Sequence, residues 1–223
     1  DLARVAAPTV RVEPTVRGMG AVAALCEAAQ SASLVVVGSS GHGRVMHALL
    51  GSVAFAVVTH SAASVVAVRG EEIAQPGSDH PVVVGVDGSA GSDDAVDYAS
   101  DLASDSGAEL LVVSAWQTPR LYDWNRAYLA DEEWRKEDVE RARNYAHALV
   151  DRARARAHER HRDQTIREVV QEGRPEHVIA HAHGDASLLV VGARGHGDYY
   201  SLLLGSVSRG VVHQAHCPVY IVR

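Results

Sequence analysis

The chain has 223 residues, 47% of them hydrophobic and 22% charged, with a formal net charge of −7. These values fit an ordinary globular protein of one or two domains and argue against a nucleic acid or an anionic membrane as the main partner. No run approaches the ~18 apolar residues of a membrane span, the start lacks a signal peptide's basic-then-apolar pattern, and Cys26 and Cys217 form no CxxC, so free thiols in a reducing cytoplasm are expected.

Residues 9–16 (TVRVEPTV) alternate apolar and polar and predict a strand. Residues 19–32 carry Ala and Leu at helical spacing and predict a helix. SLVVVG (33–38) is a continuous apolar run, as expected for a strand buried on both faces of a parallel sheet. A helix over 52–63 capped by Ser52, a strand over 63–69 and a Gly/Pro-containing linker over 71–80 complete a first unit, 1–70.

The second unit, 81–223, is longer. It opens with a buried strand running into a turn (81–89) and a helix over 91–106, with Ala95, Val96, Ala99, Leu102 and Ala103 on one stripe. A strand (108–116), an aperiodic loop (117–130), a long charged helix (131–160) and a strand (165–170) follow. A helix from Pro175, a buried strand (187–192), a helix from Ser206 and a strand (218–223) close the chain. Alternating strands and helices predict a parallel sheet with helices on both faces and ligands at the carboxyl ends of the strands.

One stretch occurs twice. LVVVGSSGHGRVMHALLGSV (34–53) and LLVVGARGHGDYYSLLLGSV (188–207) share a buried run, Gly-x-x-Gly, nine residues and Gly-Ser-Val. The register holds without a gap from Ser33/Ser187 to Arg69/Arg223, a constant offset of 154 positions. Gly38, Gly41, Gly51 and Ser52 therefore match Gly192, Gly195, Gly205 and Ser206, the mark of an internal duplication.

The motif suits an anion. Gly192 and Gly195 let a ligand approach the backbone. Gly205-Ser206-Val207 opens a helix whose free N–H groups and partial positive charge favour phosphate. The bland alternative is a tight turn followed by a capped helix. The Ser206 hydroxyl can donate to phosphate and, as an N-cap, accept from the helix backbone at the same time. Asp87 ends the neighbouring strand, either as a ligand contact or as an Asp-Gly turn bonding its own backbone. Arg194 can pair with phosphate or stay solvated. Lys136 is the only lysine, which excludes a Walker A loop. His177 and His181 lie at i, i+4 but lack a metal-site pattern, and surface histidines are the simpler reading. Carboxylates in 131–140 read as a solvated, ion-paired face. Trp116, Tyr122, Trp124 and Trp134 read as anchors for the loop or as the mouth of a site.

The strand ending Val86-Asp87-Gly88-Ser89, the strand LLVVSAW, the pattern G-x2-G-x9-G-S and the ending HCPVYIVR resemble the universal stress protein family, fully over 81–223 and as a half domain over 9–70. The resemblance implies an α/β fold: an open parallel five-stranded sheet with helices on both faces, in strand order 3-2-1-4-5. It also implies a tandem protein whose first domain is represented by its C-terminal half. The glycine motif marks the ATP-binding branch, so ATP is the implied ligand. Asp198 stands where the first repeat has Arg44, a departure that leaves room for a Mg2+-dependent or a weaker second site. Asp87 would contact the adenosine part and Ala115 the adenine, with Gly85, Val86 and Val191 lining the same pocket. The last strands, SVVAVR and PVYIVR, would pair across an intramolecular pseudo-dimer, or the chain would dimerise further.

The function expected is an adenine-nucleotide-binding stress-response module with an unidentified protein partner and no dedicated catalysis, because no general base or activated nucleophile is placed for phosphoryl transfer. The alternatives are a hydrolase or transferase acting on ATP or an adenylated substrate, and a cyclic AMP binder. One complete site is expected at Asp87 and Gly192–Val207, with a half site at Gly38–Ser52.

Overall fold

The structure, a computed structural model, describes residues 5, 7–38, 50–69, 73–118, 132–196 and 204–223, with the side chains of 132–135 excepted. Gly41, Arg44, Tyr122, Trp124, Asp198 and the side chain of Trp134 lie outside the described residues.

The described elements run α1 (Ala21–Ala28), β1 (Leu34–Gly38), α2 (Ser52–His60), β2 (Ser64–Val68), β3 (Val82–Gly85), α3 (Ala90–Ser106), β4 (Leu110–Trp116), α4 (Glu132–Arg160), β5 (Ile166–Glu172), α5 (Pro175–Ala180), β6 (Leu188–Gly192), α6 (Ser206–Gln214) and β7 (Val219–Val222). They form one seven-stranded sheet in the order β1-β2-β7-β6-β3-β4-β5. Numbered within the second unit, β5-β4-β3-β6-β7 is the expected 3-2-1-4-5 order, with parallel pairings throughout.

The sheet is larger than the five strands expected because β2 continues it beyond β7. The two last strands pair antiparallel, Val65 with Ile221, Val66 with Tyr220 and Ala67 with Val219. That seam gives both strands a hydrogen-bonded neighbour where each would otherwise be a bare edge. It also reverses the first half. β1 and β2 point opposite to β6, so the two glycine stretches sit at opposite ends of the sheet.

Period-2 alternation splits the core. Val83, Leu111, Val113, Leu189 and Val191 face one layer with α2, α5 and α6. Val82, Val84, Leu110, Val112 and Val190 face the other, with α3 and α4. Two expectations fail in the first half. Residues 11–17 adopt no regular structure rather than a strand. In a 3-2-1-4-5 order that segment would need strand 2 as its partner, and the described residues of the first half offer none. β1 is buried on one face only: Val35 and Val37 are buried, but Val36 is 61% exposed where its repeat partner Val190 is at 0%. The α3–α4 layer that covers Val190 reaches Leu34 at the start of β1 but leaves Val36 exposed.

Helix ends also differ from the sequence reading. Gly51 and Gly205 are the N-cap residues, so Ser52 and Ser206 occupy the first helical position, and neither helix has a side-chain cap hydrogen bond. A residue already in helical conformation cannot turn its hydroxyl back onto the first-turn amides.

α4 is bound to α3 by a ladder that the sequence reading missed. Arg152, Arg156 and Arg160 meet Asp93, Asp97 and Asp101, each pair one helical turn from the next. Arg156 grips Asp97 with two bonds of 2.6 and 2.7 Å. Hydrogen bonding from Arg160 holds the Asp101 carboxyl below its usual range. Asp97→Asn is expected to lower unfolding free energy by about 1 kcal/mol in urea titration at low salt, and by less in 1 M salt.

At the β2–β7 seam, Phe55 packs on His213 with ring centroids 5.0 Å apart. Loss of water from that ring, then the charges of Arg69 and Arg209, hold the His213 imidazole below its ordinary 6.5. The unfolded chain therefore takes up this proton first, and stability falls as pH drops below about 6.5. His213→Gln should lose less stability than the parent between pH 7.5 and 5.5, measured as the shift in urea midpoint. Both cysteines are free, and burial pushes the Cys217 thiol up to about 11.

Candidate functional site

The second unit gathers its chemistry where β3, β4 and β6 end. β3 stops at Gly85, and Val86-Asp87-Gly88-Ser89 turns into α3. Gly88 has φ +83°, a conformation that side chains disfavour. Ser89 caps α3 by accepting from the Ser92 N–H at 3.2 Å. The Ser92 hydroxyl accepts in turn from the Gly88 N–H, also at 3.2 Å.

The Asp87 carboxylate adopts the local turn. Its Oδ1 accepts from the Ser89 N–H at 2.9 Å and the Ser89 hydroxyl at 2.6 Å. Oδ2 lies against Gly195, where a Cβ would collide with it. Gly195 is therefore needed to leave room for Asp87, a different reason from the anion approach inferred from sequence. Gly192 also has a second reason. A Cβ there would lie 2.6 Å from the Gly91 carbonyl carbon and oxygen, in the first turn of α3. The β6 strand end and the α3 start touch backbone to backbone.

From Gly192 the chain is held by the Ala193 N–H donating to Val222 O at 2.8 Å, and by the Ser208 hydroxyl donating to Gly192 O at 2.6 Å. The Gly205 N–H donates to Ala193 O at 2.8 Å, which sets the α6 N-terminus beside the glycine turn. His196 closes over the turn, its Nε2 3.0 Å from Asp87 O.

The ends of β3, β4 and β6 and the start of α6 border a cavity of about 410 Å³, within the usual range for small-molecule sites. Gly85, Val86, Asp87, Ala115, Val191, Gly192, Arg194, Gly195, Gly205, Ser206 and Val207, all expected from sequence, border it together. Gly38, Gly51 and Ser52 do not line it; they lie on β1 and at the start of α2, at the opposite end of the sheet. Trp116 borders the cavity rather than serving only as a loop anchor.

Sequence reasoning missed the far wall. Tyr145, Ala146 and Leu149 of α4 and Ile179 of α5 complete the cavity. A small-residue stripe within the long charged helix was the available signal, since Ala146 and Val150 are buried on an otherwise polar element. His177 and His181 lie elsewhere: His177 Nδ1 is 3.3 Å from the Gln214 side-chain oxygen, and His181 Nδ1 is 2.9 Å from the His177 carbonyl.

Chemically, the cavity offers an apolar slot and a polar end. Val86, Ala115, Ile179 and Leu149 suit a flat ring. The first-turn N–H groups of α6, uncapped by any side chain, and the exposed Ser206 hydroxyl suit an anion. Asp87 can accept from hydroxyl groups.

Comparison with known proteins agrees with this architecture. A family model described as the universal stress protein family matches residues 1–69 and 80–223. Universal stress protein Rv2005c of Mycobacterium tuberculosis (strain ATCC 25618 / H37Rv) is 34% identical over 203 residues, 91% of this chain and 65% of that protein. Universal stress protein Rv1996 of the same strain is 34% identical over 202 residues, 91% of this chain and 62% of that protein. The chain thus spans less than two thirds of the length of these relatives. Among solved structures, a universal stress protein from Archaeoglobus fulgidus DSM 4304 shares the fold with a TM-score of 0.59 at 20% identity, covering 91% of this chain and 66% of that one. Universal stress protein UspA from Lactobacillus plantarum does so with a TM-score of 0.54 at 20% identity, over 66% of this chain and 99% of that one. The family model covers both halves and the curated relatives align along nearly the whole chain, so this chain belongs to the universal stress protein family.

Proposed function

We propose that the second unit binds an adenine nucleotide, with ATP the preferred ligand, and that the protein acts as a nucleotide-dependent binding or signalling module. The observation that carries this reading is the 410 Å³ cavity in which Asp87 faces the Gly192–Gly195 turn and the N-terminus of α6. The residues fit the ligand. The α6 amides, Ser206 and Arg194 would take the phosphates, Asp87 the ribose hydroxyls, and the slot bounded by Val86, Ala115, Leu149 and Ile179 the base. Mg2+ would neutralise phosphate charge.

The module carries no dedicated catalysis in this reading. Among the described lining residues, His196 is engaged by the Asp87 carbonyl, and no base–nucleophile pair faces the phosphate end. Residues 1–70 are read as the C-terminal half of a first domain of the same kind, whose Gly38, Gly41, Gly51 and Ser52 supply only part of a site. Occupancy at the α6 N-terminus would alter the surface around 193–204 that a protein partner meets.

Mass spectrometry of small molecules that co-purify with the protein, followed by titration of ATP, AMP and cyclic AMP, tests the assignment. ATP tightest supports it. Cyclic AMP tighter than ATP moves the assignment to the cyclic nucleotide, and no binding of any of the three overturns it. Steady phosphate release well above background would overturn the non-catalytic reading.

A further inference from the structure

The two halves exchange arginines across the β2–β7 seam. α6 ends at Gln214, and its Val212 carbonyl is among the last four that a helix leaves without an internal donor. Arg69, 5% exposed and following directly on β2, donates from Nη1 to that carbonyl. α2 ends at His60, and Arg223, directly after β7, donates from Nη2 to the Val58 and Thr59 carbonyls at 2.7 and 3.0 Å. Arg69 and Arg223 are repeat partners, and so are Val58 and Val212. The exchange is therefore a matched pair about the pseudo-twofold of the seam. A guanidinium is favoured at this position both by the orphan carbonyls and by the negative end of the helix dipole.

The opposite ends of the same two helices carry the glycine-serine motifs. α6 begins at the cavity with Gly205-Ser206, and α2 begins with Gly51-Ser52. α6 has nine residues, so its two ends are about 13 Å apart along one rigid rod. Whatever fixes its last turn also fixes the aim of its first-turn N–H groups. The other strand of the seam touches the site as well: Val222 pairs with Gly192, next to Arg223.

We propose that Arg69 is a positioning residue for the nucleotide site: it ties the last turn of α6 to the end of β2, so the first half of the chain sets the phosphate-binding end of a site that lies wholly in the second. Arg223 performs the reciprocal task for α2. The two glycine motifs are thereby coupled crosswise, each through an arginine of the opposite half. The inference rests on the nucleotide reading above for its ligand but not for its geometry.

The test compares the full chain with Arg69→Ala and Arg69→Lys, using Mg2+-ATP titration and amide hydrogen exchange resolved over residues 205–215. Circular dichroism and thermal unfolding establish that each variant is folded. Arg69→Ala is expected to bind ATP about tenfold more weakly and to exchange the α6 amides about tenfold faster, with Arg69→Lys recovering part of both because it keeps one donor and the charge. A residue serving only global stability would lower the melting temperature and leave the affinity of the folded protein unchanged, and that result overturns the proposal. Unchanged exchange across α6 also overturns it. If Arg69→Ala does not fold, Arg69→Lys decides alone: affinity and exchange equal to the parent overturn the proposal, and intermediate loss of both supports it. If the parent binds no ATP, the nucleotide reading has failed, and exchange in α6 alone still decides the coupling, faster exchange supporting it and equal exchange overturning it.

Discussion

Gly195→Ala is expected to weaken ATP binding about tenfold while leaving thermal unfolding nearly unchanged. The new methyl group would meet the Asp87 Oδ2 atom, the far end of a side chain and not backbone. The carboxylate can swing away, so the fold survives. The swing breaks the bonds from the Ser89 N–H and hydroxyl that hold Oδ1 at 2.9 and 2.6 Å, and moves the acceptor meant for the ribose. Displacement of a positioning group by about 1 Å is enough for losses of this order. Isothermal titration of the folded variant measures the effect. Asp87→Ala should show a similar loss, and the double variant should lose little beyond either single one, because both changes remove the same contact. Additive losses would mean that Gly195 serves the ligand directly, and unchanged affinity would mean that Asp87 is not a ligand contact.

Gly192→Ala should act on the fold instead. Its methyl group would lie 2.6 Å from the carbonyl carbon and oxygen of Gly91 and 3.1 Å from the Ser92 nitrogen, all backbone atoms of the first α3 turn. Neither side can yield cheaply. β6 is held by β3 on one flank and β7 on the other, while α3 is anchored by the fully buried Ala95, Ala99 and Ala103. Overpacking of this kind is expected to cost about 3 kcal/mol, read as a lowered urea midpoint at constant slope. The duplication supplies an internal control. At Gly38, the repeat partner, an added Cβ meets nothing within 4 Å among the described residues. Gly38→Ala should therefore stay within about 0.5 kcal/mol of the parent. Equal effects at the two positions would show that contact with α3 is not what requires glycine at 192.

The contrast between these two glycines shows how far sequence could reach. The repeated pattern located both, and the buried runs before them located their strands. It did not distinguish their reasons, because the partners, Asp87 and Gly91, lie about a hundred positions earlier in the chain. The same holds for SLVVVG and SLLVVG, nearly identical in sequence yet unlike in burial at Val36 and Val190. A period reports which residues can be buried together; whether a second layer arrives to cover them is a tertiary matter. Ser52 and Ser206 show the limit at one-residue scale, since a preceding glycine in extended conformation takes the cap and moves each serine one position into its helix.

By itself the sequence determined the alternation of strands and helices, the internal duplication, the family and most of the cavity floor. These follow from hydrophobic period and from glycine spacing, both written in neighbouring residues. Only the tertiary structure decided the rest: the antiparallel β2–β7 register that sends the two glycine stretches to opposite ends of the sheet, the wall that α4 lends to the cavity, and the arginines that each half places on the other's helix. The physical reason is common to all three. Each is a contact between groups far apart in the chain, selected by unpaired strand edges, apolar stripes and orphan carbonyls that find partners only once the sheet has assembled.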